Sequence, residues 1–292
     1  MRRRETTLLI ATFLLPAGGL YALLVLYPMA RAFYIALFAW RGVSVHKEWV
    51  GLENFAEIFR DEVFWMSLKH NFFILGVSSV VILGLGLFLA VALSRRRRDA
   101  HFFRLVYLFP NVMSVVAISV LWSFLYHPQM GLINGLLRLL GREGRTWLGD
   151  PATALPAVTV TYLWSVLGFY IVLFLAGILS IPRDLYDAAK IDGAGEVATF
   201  RHVTFPLLWE PLKLAVIFLL INALNVFSLV FIMTNGGQPS RHTEVILTYL
   251  YEQAFDNSNF GYATAIGAVL FVLIFGLSQV LLRLMRRETV EF

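Results

Sequence analysis

Six stretches of this 292-residue chain are continuously apolar, at about 7–30, 71–93, 102–126, 155–179, 211–234 and 261–283. Each has roughly the 20 residues that a helix needs to cross a hydrocarbon core. None alternates apolar with polar positions, as a barrel strand would. The expected fold is all-α, a polytopic membrane protein of six transmembrane helices. The whole of 1–292 reads as a single transmembrane domain, without a detachable soluble part or internal repeat.

The polar gaps have patterns of their own. Segment 49–68 has apolar residues at Leu52, Phe55, Ile58 or Phe59, and Val63 or Phe64. That spacing suits one or two amphipathic helices on a membrane face, with Asn54 as a cap. They are read either as plain interfacial helices or as a docking surface. Segment 131–151 predicts a short helix through Leu132, Ile133, Leu136, Leu137 and Leu140, stopped at Gly141. Segment 235–259 begins with the turn NGGQP and predicts a helix around 245–255. Pro16, Pro110 and Pro156 can kink a span or open its end. Small residues four apart, Gly86 and Ala90, Gly261 and Ala265, Ala263 and Gly267, permit close helix packing.

Composition agrees with a membrane chain: 59% hydrophobic, 15% charged, mean hydropathy +0.72. A soluble domain carries about 25% charged residues. The absence of cysteine excludes disulfides and thiolate metal sites. MRRRE opens the chain ahead of an apolar run without a small-residue cleavage site, so the run reads as a retained first span. Six spans put both termini on one side. That side holds fifteen basic residues, among them those at 2–4, 95–98, Arg183, Lys190 and Arg201, against nine on the other. The positive-inside rule therefore places the termini, the 95–98 loop and segment 181–206 in the cytoplasm. The four arginines at 95–98 serve as a stop signal or attract anionic membrane lipid. The net charge of +5 lies in gaps between spans and on no single face, so no nucleic-acid partner is expected.

Catalytic and coupling chemistry has no foothold. No two of the six histidines stand four apart, and there is no GxSxG elbow and no GxxxxGK[ST] phosphate loop. GAGEVA at 193–198 lacks the lysine and follows no strand. No span has an ionisable residue near its centre, which ion-coupled transport commonly needs. A secondary transporter or a membrane-embedded enzyme is thus disfavoured, and neither cofactor nor metal is expected. Uncharged polar residues do lie at depth: Asn111 and Ser114, Tyr162, Trp164, Ser165 and Tyr170, then Asn222, Asn225 and Ser228. They either join neighbouring helices, at roughly 0.6 kcal/mol each, or line a path for a neutral, hydroxyl-rich solute.

Segment 181–206, IPRDLYDAAKIDGAGEVATFRHVTFP, is the longest polar stretch in the second half of the chain. Pro182 suits a helix start. Asp184 and Asp187 follow where the helix dipole favours acids. Leu185, Ala188, Ala189 and Asp192 share a face, flat where the alanines sit. Asp192-Gly193 signals a helix end with Gly193 at positive φ. A second helix is expected over 194–204. A link between adjacent spans needs only a few residues, so this one reads as a docking element.

DAAKIDGA, from Asp187 to Ala194, followed by Phe205-Pro206, resembles the E-A-A-x-x-D-G-A motif of ABC-importer permeases. Asp stands where that motif has Glu, and Phe205 where it has Leu. WVGLENF, FWMSLKHN, FFRLVYLFP, GLINGLL, WLGDP, SIPRDLYDAA and TNGGQP resemble, in that order, the carbohydrate branch of the same family, its maltose-type and glycerol-3-phosphate-type first permeases. The resemblance implies a type I importer permease, paired with a homologous second permease as a heterodimer. Two copies of an ATPase, which would hold the ATP and magnesium, would bind below. An extracytoplasmic solute-binding protein would dock above. Tyr186, Asp187, Ala188, Ala189, Asp192, Gly193, Ala194 and Phe200 would form the ATPase-coupling surface. The substrate path would run past Tyr162, Ser165, Phe169, Asn222, Asn225 and Val226. The substrate would be a mono- or oligosaccharide, with glycerol 3-phosphate or another polyol as the alternative.

Overall fold

The computed structural model describes residues 2–94 and 100–286. The arginines at 95–98 and Arg287, which entered the charge count, lie outside the described residues. The secondary structure is helical apart from one antiparallel pairing of Phe38–Ala39 with Glu48–Trp49. Among the described residues, four helices are long and apolar enough to cross a membrane: Thr12–Ile35, Glu62–Ser94, Pro151–Ser180 and Phe260–Leu284. Two further apolar stretches are bent pairs, Leu105–Val112 with Val115–Leu125 at 103°, and Glu196–Leu207 with Trp209–Leu224 at 66°.

The pattern gave 102–126 and 211–234 as continuous spans, and the structure interrupts both. The first stops at Val112, and Ser114 adopts extended φ/ψ of −60° and 134° before the next helix starts. The second stops at Leu224; Asn225 and Phe227 leave helical geometry and a short Ser228–Met233 helix follows. Non-helical backbone at membrane depth is tolerated where it lines a cavity or is covered by protein. Asn111 and Val115 beside the first interruption, and Asn225, Val226 and Phe227 at the second, line one cavity.

The chain packs as two compact units. In the first, 1–62 with 250–272, Asn54 was expected to cap a helix. Its side chain instead points inward from the second position of the Glu53–Arg60 helix and donates to Ala36 O at 2.8 Å and Phe38 O at 3.1 Å. It is buried there, so joining two elements takes precedence over a local cap. The Tyr262 hydroxyl donates to the Asp61 carboxylate, fastening the end of that helix to the start of Phe260–Leu284.

The second unit, 63–249 with 273–292, holds the larger core. Tyr170, Ile171, Phe174 and Leu175 of the Pro151–Ser180 helix pack with Ile82, Leu208 and Leu219. Asp150 caps that helix, accepting from Ala152 N at 2.9 Å, and Pro151 fills the first position, where its missing N–H costs nothing. Gly168 permits a close helix approach in this core. A Cβ there would stand 1.8 Å from Tyr107 O, so only glycine lets these two helices approach. The 131–151 link is folded around Asn134, which is fully buried. Its amide donates to Pro128 O and Arg145 O and accepts from Arg145 N and Trp147 Nε1, all within 3.0 Å. The expected stop at Gly141 is present, with φ +70°.

Candidate functional site

All six path candidates face one cavity in the second unit. Tyr162, Ser165, Phe169, Asn222, Asn225 and Val226 line a space of about 380 Å³, together with Asn111, Val115, Tyr170, Phe227 and Ser228. Three elements bring them together. One face of the Pro151–Ser180 helix supplies Tyr162, Ser165 and Phe169. The interruption after Leu224 turns Asn225, Val226 and Phe227 inward. The break at 112–115 adds Asn111 and Val115. Both departures from the continuous spans therefore lie at the cavity wall.

The lining mixes apolar side chains with uncharged polar ones; none of it is Asp, Glu, Lys, Arg or His. Ser165 Oγ donates to Tyr162 O at 2.7 Å, leaving its lone pairs as acceptors. Asn225 Nδ2 donates to Ile221 O at 2.8 Å, covering a carbonyl at the helix end, and its side-chain oxygen remains. The Tyr162 hydroxyl is buried without a hydrogen-bond partner among the described residues. An unmet buried hydroxyl costs about 1–3 kcal/mol, which a ligand hydroxyl would recover.

Sequence reasoning missed Asn71. It is fully buried, and its Nδ2 donates to Ala223 O at 2.8 Å while its Oδ1 accepts from Ile246 N at 3.0 Å. It thus meets a carbonyl of the last helical turn before Asn225 and ties it to the Ile246–Tyr251 helix. The available signal was an asparagine at the polar start of an apolar run, in FWMSLKHN.

The second candidate surface is segment 181–206. Arg183–Ile191 forms the first helix, and the chain turns at Gly193, φ +72°. Ala194 N bonds to Ala189 O at 2.9 Å and Gly193 N to Lys190 O at 3.0 Å, the paired bonds of a Schellman C-cap. The second helix runs over Glu196–Leu207. Asp187, Ala188, Asp192 and Gly193 are exposed; Tyr186, Ala189, Ala194 and Phe200 are half-buried. The Tyr186 hydroxyl lies 3.3 Å from Thr204 Oγ1, joining the two helices. Asp187 is bonded to Lys190 Nζ at 2.8 Å. That hydrogen bond, with the charge of Lys190 and a weaker pull from Arg183, holds the Asp187 carboxyl below the usual carboxylate range. Both partners are well exposed, so the pair contributes little stability and can be exchanged for another cation. No group of three or more His, Asp or Glu residues suited to a metal occurs among the described residues.

Comparison with known proteins gives one consistent answer. The family described as binding-protein-dependent transport system inner membrane component matches residues 82–289. The probable ABC transporter permease protein YurN of Bacillus subtilis is 37% identical over 270 residues, covering 91% of this chain and 92% of that protein. The diacetylchitobiose uptake system permease protein NgcF of Streptomyces coelicolor is also 37% identical, covering 92% of this chain and 81% of its own. A chain of a bacterial ABC transporter involved in the import of the acidic polysaccharide alginate has the same fold, with a TM-score of 0.86 over 99% of both chains at 22% identity.

Proposed function

The chain belongs to the binding-protein-dependent transport system inner membrane components, and from that premise we propose that it passes a neutral mono- or oligosaccharide through the Tyr162–Asn225 cavity. As a member of that family it is a multi-pass inner-membrane permease subunit of an ABC importer, non-catalytic and without a bound cofactor. One observation carries the choice of solute. The cavity offers amide, hydroxyl and aromatic groups and no charge. Hydroxyl-rich solutes are met by such groups, and the Tyr162 hydroxyl awaits a partner. Glycerol 3-phosphate would bring an anion to a wall without a cation, a desolvation loss with no compensation. The uptake system of the Streptomyces coelicolor relative, a diacetylchitobiose carrier by its name, is consistent with this reading.

The remaining parts of the proposal follow the same premise. Both bent pairs count as spans, giving six and placing both termini in the cytoplasm. A homologous second permease closes the other side of the path, two ATPase copies bind below, and a solute-binding protein delivers the sugar from outside. Segment 181–206 is the coupling loop. Its seat on the ATPase is the surface of Asp187, Ala188, Ala189, Asp192 and Gly193, with Tyr186, Ala194 and Phe200 bracing it from behind. Asp187 exchanges Lys190 for a cation of the ATPase.

The test is uptake of labelled sugar by the complete transporter in proteoliposomes. Asn222→Leu, Asn225→Leu and Tyr162→Phe should each lower uptake about three- to tenfold, the value of one hydrogen bond to substrate. Copurification of the ATPase should be unchanged. Full uptake by all three variants, or the absence of any copurifying ATPase, would sink the reading.

A further inference from the structure

Two cavities meet beside the 181–206 segment. The first, about 760 Å³, opens between Leu83, Leu87, Phe88 and Val91 on one side and Val197 and Phe200 on the other. Its walls are apolar but for Glu196 at the edge. The second, about 600 Å³, shares Val91, Glu196 and Phe200 with the first and runs on beneath Leu179. There the walls become polar: Tyr186, Thr199, Lys190 and Arg183. Together they form one groove with an oily arm and a cationic arm, and large apolar side chains stand at its open side. Phe88 is 67% exposed, Val197 81% and Leu179 56%.

We propose that this groove binds a membrane phospholipid, with an acyl chain along the Leu83–Phe88 wall and the phosphate against Arg183. The shape and charge of the groove select this occupant. Arg183 is exposed and makes no ion pair among the described residues. A guanidinium matches a phosphate with paired donors. Lys190 lies in the same arm and is held by the exchangeable pair with Asp187. An acyl chain gains little by leaving bilayer for protein, since lipid is as apolar as leucine. The headgroup contact therefore sets residence. A single guanidinium suits a headgroup with one phosphate charge, as in phosphatidylethanolamine. Such a lipid would touch Tyr186 and Phe200 and brace the loop from the side away from Asp192. None of this depends on which sugar is carried.

The probe is phosphatidylethanolamine with a diazirine in its acyl chain, incorporated into nanodiscs around the complete transporter. Irradiation should label peptides containing 83–92 and 196–200 above those of 271–284. Gly84→Trp fills the oily arm; a Cβ at Gly84 meets nothing within 4 Å, so the substitution begins without a clash at the backbone. Val197→Trp does the same from the opposite wall. Each should cut the labelling about tenfold while the complex is recovered in normal yield. Arg183→Gln should lower lipid retention in native mass spectrometry about tenfold, as for loss of one charge-assisted hydrogen bond. Labelling spread evenly over exposed helices, or unaffected by both tryptophans, would overturn the proposal. So would benzoylphenylalanine at Val197 that crosslinks only to the second permease or the ATPase, since the groove would then be a protein interface.

Discussion

Asn71 holds the cavity from outside it. Its amide meets two backbone groups, Ala223 O and Ile246 N, each at a helix end where no further helical turn can take the bond. Polar contacts between membrane helices average only about 0.6 kcal/mol, because unfolded helices find other partners. Here the partners are backbone groups in a buried site. Asn71→Leu leaves both unmet, and the penalty for an unmet buried group, about 1–3 kcal/mol, is the larger effect. The variant should lower the thermal midpoint of the purified complex. It should also depress uptake, because the turn presenting Asn222 and Asn225 loses its anchor. Uptake and midpoint both at wild-type level would show that Asn71 positions nothing. Tyr162 is the converse case: it lines the cavity and its hydroxyl is buried without a partner among the described residues, so Tyr162→Phe should spare stability and affect transport alone.

At the scale of elements, segment 181–206, the proposed coupling loop, depends on one turn. Gly193 sits at φ +72°, yet a Cβ there would meet nothing within 4 Å. Strain rather than collision therefore decides which residues the turn accepts. Valine in a left-handed conformation costs about 1–2 kcal/mol, whereas asparagine visits it readily. Gly193→Val should insert normally but lose about tenfold in ATPase copurification, and Gly193→Asn should stay near wild type. Equal ATPase binding by both variants and the parent would remove the turn from the coupling mechanism. This turn was legible in the sequence because Asp-Gly after a helical face is a local signal. The face of Tyr162 and Asn225 was legible as well, since uncharged polar residues stand out in apolar runs. The interruptions at 112–115 and after Leu224 were not. Pro110, Asn111 and Ser114 stand at the first and Asn225 and Ser228 at the second, but such residues also occur inside continuous spans, so where the helices break is set by long-range contacts, as in the bond from Asn71 to Ala223. Gly168 was hidden for the same reason. Its constraint is the carbonyl of Tyr107 on another helix; the small-residue spacing found Gly261, where a Cβ would stand 1.9 Å from Phe38 O, but not Gly168.

At the scale of the molecule, the bent pairs decide how the chain is threaded. Glu62–Ser94 has 33 residues and rises about 50 Å at 1.5 Å per residue, well beyond a hydrocarbon core of about 30 Å. One end must project, and Glu62, Lys69 and His70 mark it as the N-terminal end. In the six-span threading proposed above, that end and the loop before it lie on the side with fewer basic residues. Whether the next loop joins them depends on Leu105–Val112 with Val115–Leu125. If the pair crosses, 126–150 lies on the same side as 36–61; if it turns back at its 103° bend, the two loops lie on opposite sides. The chain has no cysteine, so single cysteines report without background. Val45 is 94% exposed and Leu139 84%, and Asp192 is exposed in the coupling loop. In intact cells, a membrane-impermeant maleimide should label Val45→Cys and Leu139→Cys, and should reach Asp192→Cys only after permeabilisation. A protected Leu139→Cys beside a labelled Val45→Cys would make the first bent pair a re-entrant loop. It would also move the coupling loop to the outer side, where no ATPase could reach it.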